Sequence, residues 1–198
     1  MRALFHADPA PKRVSYAWVA LLCTLTAWAF VRTAAVTEDA FITFRVIDNA
    51  LHGFGLVWNV GERVQPYTHP LWALLLLVSS ALSGNIFQTA LVLSLILTLV
   101  CVALIVRHAS GWLTASWALL ALLFSEAFVE YSGAALENAL AHALIAGFVI
   151  AWRLYPPVTD ESEASEASHR TWIAALCGGL LVITRHDFAV LVAPALTV

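Results

Sequence analysis

Residues 37–72 read TEDAFITFRVIDNALHGFGLVWNVGERVQPYTHPLW, and how this stretch is placed decides how the rest of the chain folds. Glu38, Asp39, Arg45, Asp48, Asn49, His52, Asn59, Glu62, Arg63 and His69 are gathered here between two hydrophobic segments. The surrounding chain is of another kind. Of its 198 residues 61% are hydrophobic and 12% charged, with mean hydropathy +0.84, whereas soluble domains are about half apolar and about a quarter charged. Runs of about twenty apolar residues recur, which predicts an all-α, multi-pass transmembrane helical bundle. The polar stretch is then a working surface held at the edge of the bilayer.

Working outward, 16–36 is the first predicted span. Arg2, Lys12 and Arg13 precede it in a short basic leader. The run that follows is longer than a signal-peptide core and ends without a small-residue cleavage pattern, so it stays in the chain. Basic residues favour the cytoplasmic side, which puts the N-terminus inside and the loop 37–68 outside. Within that loop 40–51 reads as a short amphipathic helix. Arg45, Asp48, Asn49 and His52 share one face, Phe41, Phe44 and Leu51 another, and Gly53 and Gly55 end it.

The next segment, 69–83, is apolar but short. Fifteen residues make a helix of about 22 Å against a hydrocarbon core of about 30 Å. It is either a crossing or a re-entrant or juxtamembrane helix, and the choice sets the side of everything after it. Spans follow at about 86–107, 112–130, 138–154, 171–184 and 187–198. If 69–83 does not cross, Arg107, Arg153 and Arg170 fall inside, and Glu137 falls outside with Glu38 and Asp39. The positive-inside rule favours that option. Residues 156–170, rich in Ser, Glu and Ala, read as a flexible polar loop. The chain ends inside an apolar run, which predicts a piece of a longer protein.

Glu38 and Asp39 lie where one helix ends and another begins. A carboxylate there is stabilised by exposed N–H groups and the helix dipole. Such a group can take a proton from a hydroxyl nucleophile or hold a divalent cation, with capping as the plainer role. The Arg45 face suits a phosphate or sugar, or a self-paired surface in which Arg45 meets Asp48 or Asn49. Glu137, after the small-residue break Tyr131-Ser132-Gly133, is either a second acid of the site or a helix-end charge. His142 reads as a packed core histidine. Arg185, His186 and Asp187 interrupt an apolar run and are costly in lipid. Arg185 suits the phosphate of a lipid, or pairs internally with Asp187. Trp58, Tyr67 and Trp72 read as interfacial aromatics, with stacking on a sugar as the sharper alternative.

Other classes are set aside. Cys23, Cys101 and Cys177 stand singly in apolar runs without metal-ligand spacing. No basic stripe suggests nucleic acid as a partner. No phosphate loop, dinucleotide fingerprint, zinc-protease motif or nucleophile elbow occurs, and no repeat of 20–50 residues. A transporter or an assembly subunit remains the non-enzymatic rival. It would carry ionisable groups near the midplane of matched halves, whereas polar groups here gather at one face.

The run EDAFITFRVIDNALHGFGLVWNVGERV, continued by YTHPLW, resembles the first extracytoplasmic loop of multi-pass glycosyltransferases of the GT-C class. The likeness is strongest to the actinobacterial terminal arabinofuranosyltransferase group. Residues 132–140 resemble that group's Ser-Gly-Leu-Glu block, and 181–188 its Leu-Thr-Arg-Pro-(Asp/Glu)-Gly block. Gln65-Pro66 stands where Glu-Gly is usual, His69 where Asn is, His186 where Pro is and Phe188 where Gly is. These departures bear on sugar or acceptor preference more than on reaction class. The resemblance implies a GT-C-like bundle in the plasma membrane, a polyprenyl-phosphate-linked sugar as donor and an extracytoplasmic cell-envelope glycan as acceptor. It implies Asp39 or Glu38 as the catalytic base and Glu137 as the second acid. Arg45, Asn49 and Asn59, with Tyr67, His69, Arg185 and Asp187, would hold the donor's phosphate and sugar. The resemblance fixes no cofactor, and a divalent cation, if used, would sit at Asp39 and Glu137.

Overall fold

A computed structural model describes residues 15–62, 64–153 and 161–196. The basic leader, Arg63, the start of the expected polar loop and the last two residues lie outside the described residues. All the described regular structure is helical. α1 (Tyr16–Thr33) is capped by the Ser15 hydroxyl, which accepts from the Trp18 N–H. Among the described residues two helices, α1 and α4 (Ile86–Arg107), are long and apolar enough to cross a membrane, and the number is three if α5 (Trp112–Leu123) and α6 (Glu126–Ser132) count as one broken span.

The ends of these helices show how the bundle is threaded. At the C-terminal end of α4, the Arg107 guanidinium lies 4.8 Å from the Tyr16 ring and donates to its hydroxyl at 3.1 Å. At the other end, Phe87 of α4 packs at 5.1 Å on Phe44 of α2 (Glu38–Leu51), the helix that follows α1. So α1 and α4 run in opposite senses. α3 (Pro70–Ser83) joins α4 through Gly84 and Asn85 alone. Gly84 takes φ 71°, a left-handed conformation that glycine adopts without steric cost. The Asn85 side chain then caps α4 by accepting from the Gln88 N–H. The C-terminal end of α3 therefore lies at the end of the bundle where α1 finishes, and His69, just ahead of α3, stands there too, 2.7 Å from the Thr43 hydroxyl of α2.

α5 returns from the opposite end, where Trp112 meets Trp18 edge-on at 6.1 Å. The expected crossing 112–130 is not continuous: α5 and α6 meet at 73°. The cause is local. The Ser125 hydroxyl accepts from the Phe128 N–H and starts a new helix, with Glu126 in its first turn. α7 (Asn138–Arg153) runs back between α4 and α8 (Glu161–Thr184). Buried Ala139, Ala141, Ala143 and Ala146 let those neighbours come close. Part of the expected flexible loop, 161–170, is instead the first part of α8. Its Glu and Ala content favours a helix over a loop. The expected span 187–198 is not one helix either. Its described part is broken into turns at His186–Phe188, Ala189–Val192 and Ala193–Leu196, and Pro194 there lacks the N–H a helix needs.

Candidate functional site

Where α1 ends, the chain runs extended to Thr37, whose N–H and hydroxyl both donate to the Ala134 carbonyl, at 3.3 and 3.2 Å. This ties the start of α2 to the link between α6 and α7. Glu38 and Asp39 occupy the first turn of α2 and are exposed. Ala40, Thr43, Phe44 and Ile47 are buried on one stripe of the helix, against Trp72 and Leu76 of α3 among others. The placement of α2 thus follows from its 3.6-residue period.

A cavity of about 540 Å³ opens beside this turn. Asp39 and Thr43 of α2, Tyr67 and His69 from the chain entering α3, Glu137 at the start of α7 and Arg185 just after α8 all line it. Ala135, at φ 62°, reverses the chain just ahead of Glu137. Glu137 is 5% exposed and His69 7%, so neither leans on bulk water for its partners. Glu137 Oε2 lies 3.3 Å from His69 Nδ1, and Oε1 lies 3.4 Å from Arg185 Nη1. Thr43 Oγ1 is 2.7 Å from His69 Nε2. Arg185 also donates through Nε and Nη2 to the two carboxylate oxygens of Asp187, at 3.1 and 2.8 Å, a fork-on-fork pair. Burial pushes the His69 pKa down; the nearby Arg185 adds to this and Glu137 opposes it. The hydrogen bond that Arg185 donates to Asp187 holds the Arg185 pKa above its ordinary value.

Several residues singled out in the sequence thus come together: Asp39, Tyr67, His69, Glu137 and Arg185 face one cavity, with Asp187 bracing Arg185. Glu38 does not line it. Arg45, Asn49 and Asn59 form a separate group. Arg45 donates to the Trp58 carbonyl at 2.9 Å and to Asn59 Oδ1 at 3.0 Å, and its guanidinium lies 4.7 Å from the Trp58 ring. Asn49 donates to the carbonyls of Val57 and Trp58, and Asn59 to Glu62. These residues staple the loop after α2 back onto that helix. Asp48 does not pair with Arg45 but lies 3.4 Å from His52 on the exposed surface. Thr43, Tyr131 and Asn138 also belong to the cavity wall and were not singled out from the sequence as site residues. The signal for Thr43 was present: it stands one turn after Asp39 on the same helix face.

Among the described residues no three His, Cys, Asp or Glu side chains are grouped to hold a metal ion. A cation shared by Asp39 and Glu137 would meet Glu137 oxygens that already face His69 and Arg185. A larger cavity of about 650 Å³ lies between α4, α5, α6 and α7, but its wall is mainly apolar. His142 is there, with its ring 5.0 Å from Phe128. The smaller cavity carries the convergent polar groups that chemistry requires.

Comparison with known proteins adds one finding of similarity. Over 89 residues the chain is 32% identical to the terminal beta-(1->2)-arabinofuranosyltransferase of Mycobacterium tuberculosis. That alignment takes in 44% of this chain and 14% of the mycobacterial protein, so the chain matches a small part of its length. No protein-family profile matches the chain. No solved structure matches it. The chain is an all-helical membrane protein with distant, partial similarity to an actinobacterial arabinofuranosyltransferase.

Proposed function

We propose that the chain carries the reacting end of a GT-C-class glycosyltransferase. It moves a sugar, an arabinofuranose if the likeness extends to the donor, from a polyprenyl phosphate to an extracytoplasmic cell-envelope glycan. The observation that carries this reading is a polar cavity at one end of an apolar bundle, with Asp39 and Arg185 in the same wall. An acid and a cation facing one cavity next to lipid fit a reaction in which a hydroxyl attacks and a phosphate leaves.

In this reading the donor's isoprenoid chain lies among the helices and its phosphate meets Arg185. The guanidinium is fixed by Asp187 and Glu137 before the substrate arrives, so little reorganisation is needed as charge grows on the leaving phosphate. Asp39 takes the proton from the acceptor hydroxyl. The hydroxyl oxygen bonds to the anomeric carbon as the bond from that carbon to the phosphate oxygen breaks, and polyprenyl phosphate is released. Tyr67 lies against the sugar. Arg45, Asn49 and Asn59 shape the loop over the cavity mouth. The N-terminus is cytoplasmic and the cavity faces outward from the plasma membrane.

The test is Asp39→Asn in the full-length enzyme, assayed in membranes with a radiolabelled polyprenyl-phosphate sugar. Transfer should fall by roughly a hundredfold or more at unchanged expression. Glu38→Gln, outside the cavity wall, should keep most of it. Full activity in Asp39→Asn would remove Asp39 from the role of base.

A further inference from the structure

We propose that His69 is a positioning residue, which clamps Glu137 so that this carboxylate holds the Arg185 guanidinium at the cavity wall. The kinetic part of this proposal rests on the glycosyl-transfer reading; the spectroscopic part does not.

The hydrogen bonds set the protonation pattern of the ring. A carboxylate without its proton can only accept, so His69 Nδ1, 3.3 Å from Glu137 Oε2, carries the hydrogen. In the neutral ring Nε2 is then bare, and the Thr43 hydroxyl donates to it at 2.7 Å. Both ring nitrogens are engaged, and neither is left for a sugar. The acceptor-only carboxylate fixes the tautomer, and the Thr43 hydroxyl, able to donate or accept, complements it. Second-layer partners act on first-layer groups in this way wherever a side chain must be aimed.

Glu137 thereby has one oxygen for His69 and one for Arg185. If His69 is lost, Oε2 sits nearly shut off from water without a partner. The repair open to a carboxylate is to turn both oxygens onto the guanidinium, since a two-point Arg–carboxylate pair is strong. Arg185 would then be drawn from its fork on Asp187, whose side chain is 60% exposed and readily replaces the guanidinium with water. The cation would no longer stand where the leaving phosphate forms.

Two substitutions separate this role from packing. His69→Phe keeps a ring and loses both nitrogens. His69→Asn loses the ring and keeps an N–H donor near the Nδ1 position. In the full-length enzyme, kcat/KM for the polyprenyl-phosphate donor should fall roughly tenfold in His69→Phe and stay within about threefold in His69→Asn, the cost of an unpartnered buried acceptor setting the difference. In a Glu137→Gln background His69→Phe should change kcat/KM by less than about twofold, because the clamped group is already gone. The reverse ranking, with Phe tolerated and Asn damaging, would mean that the ring only fills space. Nitrogen-15 NMR of histidine-labelled full-length protein should show Nδ1 protonated and Nε2 bare for the signal missing in His69→Asn. The opposite tautomer overturns the clamp without any turnover being measured. Protein that shows the expected tautomer but transfers no sugar would sink the glycosyl-transfer reading and leave the clamp standing.

Discussion

At the scale of single residues, the polar groups differ in how openly they show in the sequence. Asp39 is legible because an acid directly after a long apolar run has few plain reasons to be there. The link between Glu137 and Arg185 is not, since 48 residues separate them and only the return of α7 and α8 to one end brings them together. Arg45 is a third case. Its helix neighbours Asp48 and Asn49 offered partners three and four residues away, whereas its real partners, Trp58 and Asn59, are 13 and 14 residues on and reach it only because the loop folds back. A pH effect belongs at this scale. Burial keeps His69 neutral below its ordinary value near 6.5. The unfolded chain therefore binds a proton first as the medium is acidified. His69 contributes stability that is complete above about pH 6.5 and is lost as pH falls through the depressed folded value. Thermal unfolding in detergent should show a steeper loss between about pH 7 and about pH 5 for the wild type than for His69→Asn. Parallel curves would mean that His69 titrates as an exposed imidazole does.

At the scale of elements, long apolar runs gave away α1 and α4, and the length of α3 raised the question of whether it crosses. The bend between α5 and α6 was harder to read, because Ser125 and Glu126 start a helix inside a stretch whose mean hydropathy suggests one crossing. The opening of α8 was misread for the opposite reason: its residues are polar, but Glu and Ala hold a helix that an apolar run then continues. One junction can be tested directly. A methyl group placed on Gly133 would stand 2.7 Å from the Ala34 Cα, a backbone atom that cannot swing aside. Gly133→Ala should force the end of α1 away from the α6–α7 link, break the two hydrogen bonds from Thr37 to Ala134, and cost about 1–3 kcal/mol. Gly179→Ala is the control. It sits within α8 with no atom within 4 Å of the added carbon, and it should be neutral or stabilising by up to about 1 kcal/mol. Thermal unfolding of both variants in one detergent measures the contrast, and equal midpoints would remove the close approach at Gly133.

At the scale of the whole molecule, the bundle has two unlike ends. One carries Arg107 against Tyr16; the other carries Asp39, His69, Glu137 and Arg185. Which end faces outward can be read by labelling. With Cys23, Cys101 and Cys177 replaced, Val60→Cys should react with a membrane-impermeant maleimide on intact cells. Ser110→Cys, beyond the end of α4, should react only after the cells are opened. Labelling of both from one side would overturn the threading, and the reverse pattern would place the cavity where no extracytoplasmic glycan can reach it. In the sequence the positions of the arginines favoured a return for α3, while hydropathy alone left a crossing and a return both open. Hydropathy weighs how apolar a segment is and not where its two ends are tied. A segment that leaves and rejoins at one end is neutral in the count of passages. During synthesis α3 could be shortened, lengthened or exchanged for another loop without inverting any helix made after it. What limits its length is packing instead, since Trp72 and Leu76 are fully buried against α2.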